Sequence, residues 1–191
     1  MQNKPFMKHT FFLFTVFFGL TQCTPKLTIL ELKDYKSIEG VKIGIPINSA
    51  IELIGKQYYV EKTAVPVYEG DDEEFEYIVY TNNNKRIALF SFNEGYVSQT
   101  KGKVYRLVIK NPRYITVEKI QIGMSIDEIK TLTRFKTVDF NYDDGLFITS
   151  STFDGGYLMD LDIQKDYNGF DYENPKIEDL PGGLKVKEIM L

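Results

Sequence analysis

Tryptophan is absent from this 191-residue chain, and cysteine and histidine occur once each. A single cysteine excludes any disulfide within the chain, so stability has to come from a packed core. Long apolar runs are missing too. The longest stretch, Phe11 to Leu20, falls short of the roughly 20 helical residues that a hydrocarbon core demands. An excess of basic charge is also lacking. The formal net charge is −4, which argues against a nucleic-acid backbone and against a polybasic grip on anionic lipid.

The two rare residues bracket that apolar run. Lys4 and Lys8 precede it with no acid nearby, His9 opens it, and Cys23 closes it after Leu20-Thr21-Gln22. A basic start, a short apolar stretch and a terminal cysteine have the layout of a bacterial lipoprotein signal. Leu20 fits the lipobox and Thr21 is compatible with it, whereas Gln22 stands where a small residue is the rule. Met7 offers a second start with the same layout. The expectation is a signal over residues 1–22 and lipid attachment at Cys23. Diacylglycerol plus an amide-linked, palmitate-class chain anchors stably where one chain is marginal. An uncleaved signal anchor, or a secreted protein with a free thiol, is the alternative.

Cleavage before Cys23 would remove Lys4 and Lys8, moving the charge from −4 to −6, and would discard the only histidine. The remaining chain then lacks the parts of a Ser-His-Asp or Cys-His nucleophilic pair and of imidazole-ligated zinc. No catalytic residue, metal ligand set or cofactor motif is assigned, and the chain is expected not to be an enzyme.

Offsetting the sequence by 79 residues aligns 30–53 with 109–132. Tyr35, Glu39, Ile43, Gly44, Ile47 and Leu53 meet Tyr114, Glu118, Ile122, Gly123, Ile126 and Leu132. The matches fall on apolar positions and on a glycine before a helix, which reads as a duplication. Each copy has a strand (26–32; 104–110), a polar connection, an Ile-Gly turn and a short helix. Ser125-Ile126-Asp127-Glu128 has the spacing of a capping box. Strands are then expected at 75–81 and 86–92 around Asn82-Asn83-Asn84. In the second copy they are expected at 137–142, 146–153 and 157–164, around Asp143-Asp144-Gly145 and Asp154-Gly155-Gly156, whose residues tolerate positive φ. Residues 185–191 resemble an opening strand, and 104–110 is the expected join. The predicted class is α+β: a tandem duplication of a short helix followed by an antiparallel β-meander, in two-layer helix-on-sheet units. The corresponding segments are 23–34 (anchor linker and first strand), 35–110 (unit 1) and 111–191 (unit 2).

The remaining chemistry is that of carboxylates, lysine and tyrosine. Asp71, Asp72, Glu73 and Glu74 form an acidic run, and the 166–173 loop is oxygen-rich and aromatic, with Tyr167 and Tyr172. These six residues are the candidate partner-binding set, because exposed tyrosine brings rigid area with a polar tip. Asp139 to Asp143 alternates oxygen ligands, but Asp144 replaces the loop glycine and Ser150 the bidentate glutamate of an EF-hand. A half-exposed strand accounts for that stretch.

The lipobox, the Ile-Gly-x-[Ser/Pro]-Ile-[Asp/Asn] motif before a short helix, and the meander together resemble small bacterial lipoproteins of the SmpA/OmlA type, accessories of outer-membrane assembly. The tandem layout is also similar to β-lactamase-inhibitor-protein architecture. The lipobox, the repeat and the poverty of catalytic residues lead to the expectation of an outer-membrane, periplasm-facing lipoprotein that acts as a non-catalytic protein-binding or envelope-structural module. Its expected partners are the membrane, through lipid on Cys23, and a protein; nucleic acid is not expected. Two alternatives stand beside it: an inhibitor or immunity-type protein that blocks an enzyme with acidic, tyrosine-rich loops, and a carboxylate- or metal-dependent hydrolase.

Overall fold

The computed structural model describes residues 30–65, 74–81, 87–95, 97–141, 145–161, 171 and 173–191. In chain order the elements are β1 (Leu30–Glu31), β2 (Ser37–Ile38), β3 (Val41–Lys42), α1 (Ile47–Gly55), β4 (Tyr59–Val65), β5 (Glu74–Tyr80), β6 (Ala88–Glu94) and β7 (Val104–Ile109). There follow β8 (Tyr114–Ile115), α2 (Ile126–Lys130), β9 (Phe135–Asn141), β10 (Gly145–Ser150), β11 (Gly156–Asp160), a 3-10 turn (Ile177–Asp179) and β12 (Lys185–Met190).

One eight-stranded antiparallel sheet, ordered β4-β5-β6-β7-β12-β11-β10-β9, dominates the molecule. This corrects the expected α+β tandem of helix-plus-meander units: the protein is mostly β, and the two meanders are one sheet. The physical reason lies at the seam. Leu107, Val108 and Ile109 of β7 are all buried, so both faces of that strand need cover and neither of its edges can be left to water. Strand β12 supplies the missing edge through Ile189 opposite Ile109 and Met190 opposite Val108. Leu107 and Leu191 extend the seam by exchanging backbone bonds of 3.3 and 2.8 Å.

The helices are too small to form a second layer of equal weight. Helix α2 has five residues. Its start is as the sequence indicates, with the Ser125 and Glu128 capping box in place, but at the C-cap the N–H of Thr131 returns to the carbonyls of Glu128 and Ile129 and the helix stops. Helix α1 has nine residues, begins after Pro46 without a side-chain cap, and buries Ile47, Ala50 and Ile54.

Directly opposed residues in an antiparallel pair share a face, so the register sorts the sheet into two sides. Tyr77, Val79, Phe90, Phe92, Leu107, Ile109, Tyr157, Ile148 and Ile189 lie on one side and join Ile47, Ile54, Ile126 and Ile129 in a single core. Among the described residues the opposite side carries no helix. It presents Glu74, Glu76, Ser91, Asn93, Arg106, Val108, Glu188, Met190, Leu158, Phe147 and Asp139.

Both helix entries are clamped to the seam in the same way. Gly44 donates its N–H to the Val104 carbonyl (2.7 Å) and Gly123 donates to that of Val186 (2.8 Å). Both glycines have φ near +90°, which side-chain-bearing residues resist. The glycines of the β10–β11 hairpin serve a different purpose from the expected one. Neither Gly155 nor Gly156 has positive φ. A Cβ on either would lie 2.2 Å from a backbone oxygen, that of Met190 or Ile148, so the need is for space.

Strand β4 had no counterpart in the sequence reading. Of the expected 26–32 strand, the described part is the two-residue β1, which pairs in parallel with β8.

Candidate functional site

The helix-free face is built from charge pairs that strand register brings together. Lys110, just past β7, lies 3.0 Å from Glu76 on β5 and 3.2 Å from Glu188 on β12. Burial works against its charge, but Glu188 and Glu76 outweigh that effect, and its pKa rises above the ordinary lysine value. Glu76 also accepts a 2.5 Å bond from the hydroxyl of Ser91. Ser91 is fully buried, so its hydroxyl braces the strand and is not open to a substrate. Glu74 at the start of β5 accepts from Asn93 (3.2 Å) and from the Tyr105 hydroxyl (3.1 Å). Long side chains lie along the strands and cover small polar ones, which keeps Ser91 and Asn93 buried on a face without helices.

Beyond this row the same face opens into a groove of about 700 Å³. Phe147, Leu158 and Met190 supply its apolar floor, Tyr105 and Arg106 one side, and Lys136, Thr137 and Asp139 another. The volume lies in the range of ordinary ligand clefts, roughly 300–1,000 Å³. A bulge between Asn93 and Glu94 puts Tyr105 next to Arg106 on this side, and the guanidinium packs over the Tyr105 ring, 4.9 Å from its centroid. Among the described residues no carboxylate lies within ion-pair distance of Arg106.

Two glutamate centres flank the opposite, core side. Parallel pairing of β1 with β8 brings the two connecting arms together, with Leu30 opposite Tyr114. At the first centre, strands β2 and β3 close around Glu39-Gly40, whose φ values of 49° and 87° are those of a type I′ turn. The carboxylate accepts a 3.0 Å bond from the hydroxyl of Tyr114, and the Arg113 guanidinium lies 3.6 Å away. Burial, and then the charge of Glu39, raises the Tyr114 hydroxyl well above the usual tyrosine range. Tyr58 is raised for the same two reasons.

The second centre surrounds Glu118. Its turn is one residue longer: Thr116 donates to the Ile120 carbonyl (2.9 Å), and of the intervening residues only Lys119 has positive φ, 69°. Thr152 donates to one carboxylate oxygen, and the other is buried without a partner. Tyr157 is fully buried, raised by burial and then by the charge of Glu118. The hydroxyls of Ser150 and Thr133 approach closely enough to temper that rise, yet neither reaches hydrogen-bonding geometry with Tyr157. Tyr35 stacks on Phe153 at 4.2 Å, Phe153 meets Tyr157 edge-on at 5.8 Å, and the Tyr35 hydroxyl is buried and unpartnered. Each such group costs about 1–3 kcal/mol when left unsatisfied.

This fold has a solved counterpart. The chain is similar to the crystal structure of the uncharacterised protein YfeY from Escherichia coli, with a TM-score of 0.59 and 12% identity over 85% of this chain and 98% of that one. At that identity the likeness concerns the fold alone. No protein-family model matches the chain, and no curated protein does.

Of the residues singled out from sequence, Glu74 is described, and its carboxylate is engaged within the sheet. Cys23, Asp71, Asp72, Glu73, Tyr167 and Tyr172 lie outside the described residues, as does the 1–22 segment. Among the described residues no helix is long and apolar enough to cross a membrane, and no three His, Cys, Asp or Glu side chains gather as a metal site. The Lys110 row was missed because its partners are set by strand order, and Arg106 because a bulge in the pairing decides which side it faces. The Tyr35/Glu39 and Tyr114/Glu118 matches were visible in the 79-residue offset. They pointed to the two centres without revealing that Tyr114 serves the glutamate of the other arm.

Proposed function

We propose that the protein is a lipid-anchored, periplasm-facing envelope module that binds another protein and carries out no reaction of its own. The observation that carries this reading is the helix-free face of the sheet. An apolar floor of Phe147, Leu158 and Met190 lies beside Arg106, a half-buried cation with no carboxylate partner among the described residues, and next to a braced row of Glu74, Glu76 and Glu188. A face with an apolar centre and fixed charge at its border suits a complementary protein surface. The lipobox-like residues before Cys23 and the resemblance to outer-membrane-assembly lipoproteins supply the proposed address.

The carboxylates speak for binding over hydrolysis. Glu76 and Glu188 converge, but on Lys110, which pairs with both in place of a reacting group. The inhibitor reading rests on acidic loops, and Glu74, their described member, spends its carboxylate inside the fold.

A photocrosslinking residue at Lys136, exposed on the rim of the groove, is expected to yield one adduct of defined mass in envelope membranes. Arg106→Glu should remove it. No adduct, or one indifferent to Arg106→Glu, would reject the groove as the binding face. Mass spectrometry of the mature N-terminus tests the anchor separately, the expected species beginning with acylated Cys23.

A further inference from the structure

Four buried oxygens without partners belong to a single neighbourhood: Glu118 Oε2, Tyr157 OH, Tyr35 OH and Thr133 Oγ1. Their connection is geometric. Thr152 links Glu118 to Ser150, whose hydroxyl is 2.8 Å from its own; Phe153 stacks on Tyr35 and meets Tyr157 edge-on, and Tyr157 feels the charge of Glu118 and has the Thr133 hydroxyl close by. Buried polar groups in folded proteins are nearly always satisfied, so four together call for a cause.

The Glu39 centre shows what is missing. There the chain itself supplies a cation, Arg113, and a bonded hydroxyl, Tyr114. Around Glu118 no basic side chain of the described residues lies within ion-pair distance. We propose that the Glu118 pocket binds a small hard monovalent cation of sodium size, held by the carboxylate and by the hydroxyls of Tyr157, Tyr35 and Thr133. Oxygen donors suit hard cations, and a single carboxylate balances a single positive charge. Among the described residues no three His, Cys, Asp or Glu side chains gather here, which speaks against a transition metal or a carboxylate-rich divalent site. Thr152 is exposed and Glu118 half-buried, which gives the ion a way in.

The test compares the full-length protein in sodium chloride with the same protein in choline chloride at equal ionic strength, choline being too large for the pocket. Sodium is expected to raise the melting temperature by about 2–4 °C at concentrations several-fold above the dissociation constant. Protein should also broaden the ²³Na NMR line. Glu118→Gln is expected to abolish both effects, while Glu39→Gln lowers melting in both salts and keeps the difference between them. Where Glu118→Gln does not fold, Tyr35→Phe, which removes a neutral ligand without changing charge, should reduce the broadening. Equal melting in both salts with an unbroadened line would overturn the proposal in favour of ordered water. So would broadening that survives Glu118→Gln, or Tyr35→Phe where that variant takes its place.

Discussion

Glu39 and Glu118 begin from the same local sequence, a tyrosine four residues before a glutamate, and end in different chemistry. Glu39 is satisfied by a hydroxyl and a guanidinium from the other arm. Glu118 has one bonded oxygen and one bare one, among hydroxyls that also lack partners. The difference traces to one position and to the length of one turn. Seventy-nine residues before Arg113 stands Asp34, an exposed residue whose carboxylate accepts from the backbone of Lys36 (2.8 Å) and from Ser37 (3.0 Å). Those bonds hold the Asp34 carboxyl below its usual pKa. A carboxylate there brings Glu118 no positive charge, and the longer turn presents Glu118 differently. Equal motifs therefore do not give equal sites when the partners are tertiary.

Truncating the Glu39 centre should have the largest effect. Tyr114→Ala removes a side chain that is only 1% exposed together with its bond to Glu39, and is expected to cost about 3–5 kcal/mol in urea unfolding. Tyr114→Phe, which deletes only the hydroxyl, should still cost about 1–3 kcal/mol because it leaves Glu39 short of a donor. A loss within error for Tyr114→Phe would erase the contrast between the centres.

Alkaline pH probes both centres at once. The folded-state pKa values of Tyr114 and Tyr157 are raised, and Tyr77, buried and bonded to Glu94 at 3.0 Å, is pushed up to about 12. Above the unfolded value near 10 the unfolded chain loses these protons first. Stability is thus complete below about pH 10 and falls as pH rises toward the folded values, by at most about 1.4 kcal/mol per pH unit for each tyrosine. Tyr114→Phe should flatten that decline in pH-dependent unfolding curves; an unchanged slope would contradict the raised pKa that burial, and then Glu39, gives Tyr114.

The smallest effect is expected at the bare centre. In choline chloride Tyr157→Phe removes a hydroxyl without a partner and should change stability by no more than about 0.5 kcal/mol, or raise it. A loss as large as that of Tyr114→Phe would show that the Tyr157 hydroxyl is well bonded after all.

Much of the local structure was legible. The capping box at Ser125 and Glu128, the helix entries after Gly44 and Gly123, and strands close to β5, β6, β7, β9, β10, β11 and β12 follow from short-range patterns. Strand β4 escaped because Tyr59–Val65 carries Glu61 and Lys62 mid-strand, at a sheet edge where charge is tolerated. The class itself was misread, since two short helices preceding two meanders look the same whether the meanders stand apart or merge.

The sequence by itself determined where the chain turns, which residues alternate, and that chemistry based on histidine or disulfides is scarce, because these depend on residue type and near neighbours. Only the tertiary structure decided that β7 pairs with β12, that Lys110 sits between Glu76 and Glu188, and that Tyr114 belongs to Glu39 while Glu118 has no arginine partner among the described residues. Those contacts join residues about 34 to 80 positions apart, and their geometry follows from register and from the sharing of one core.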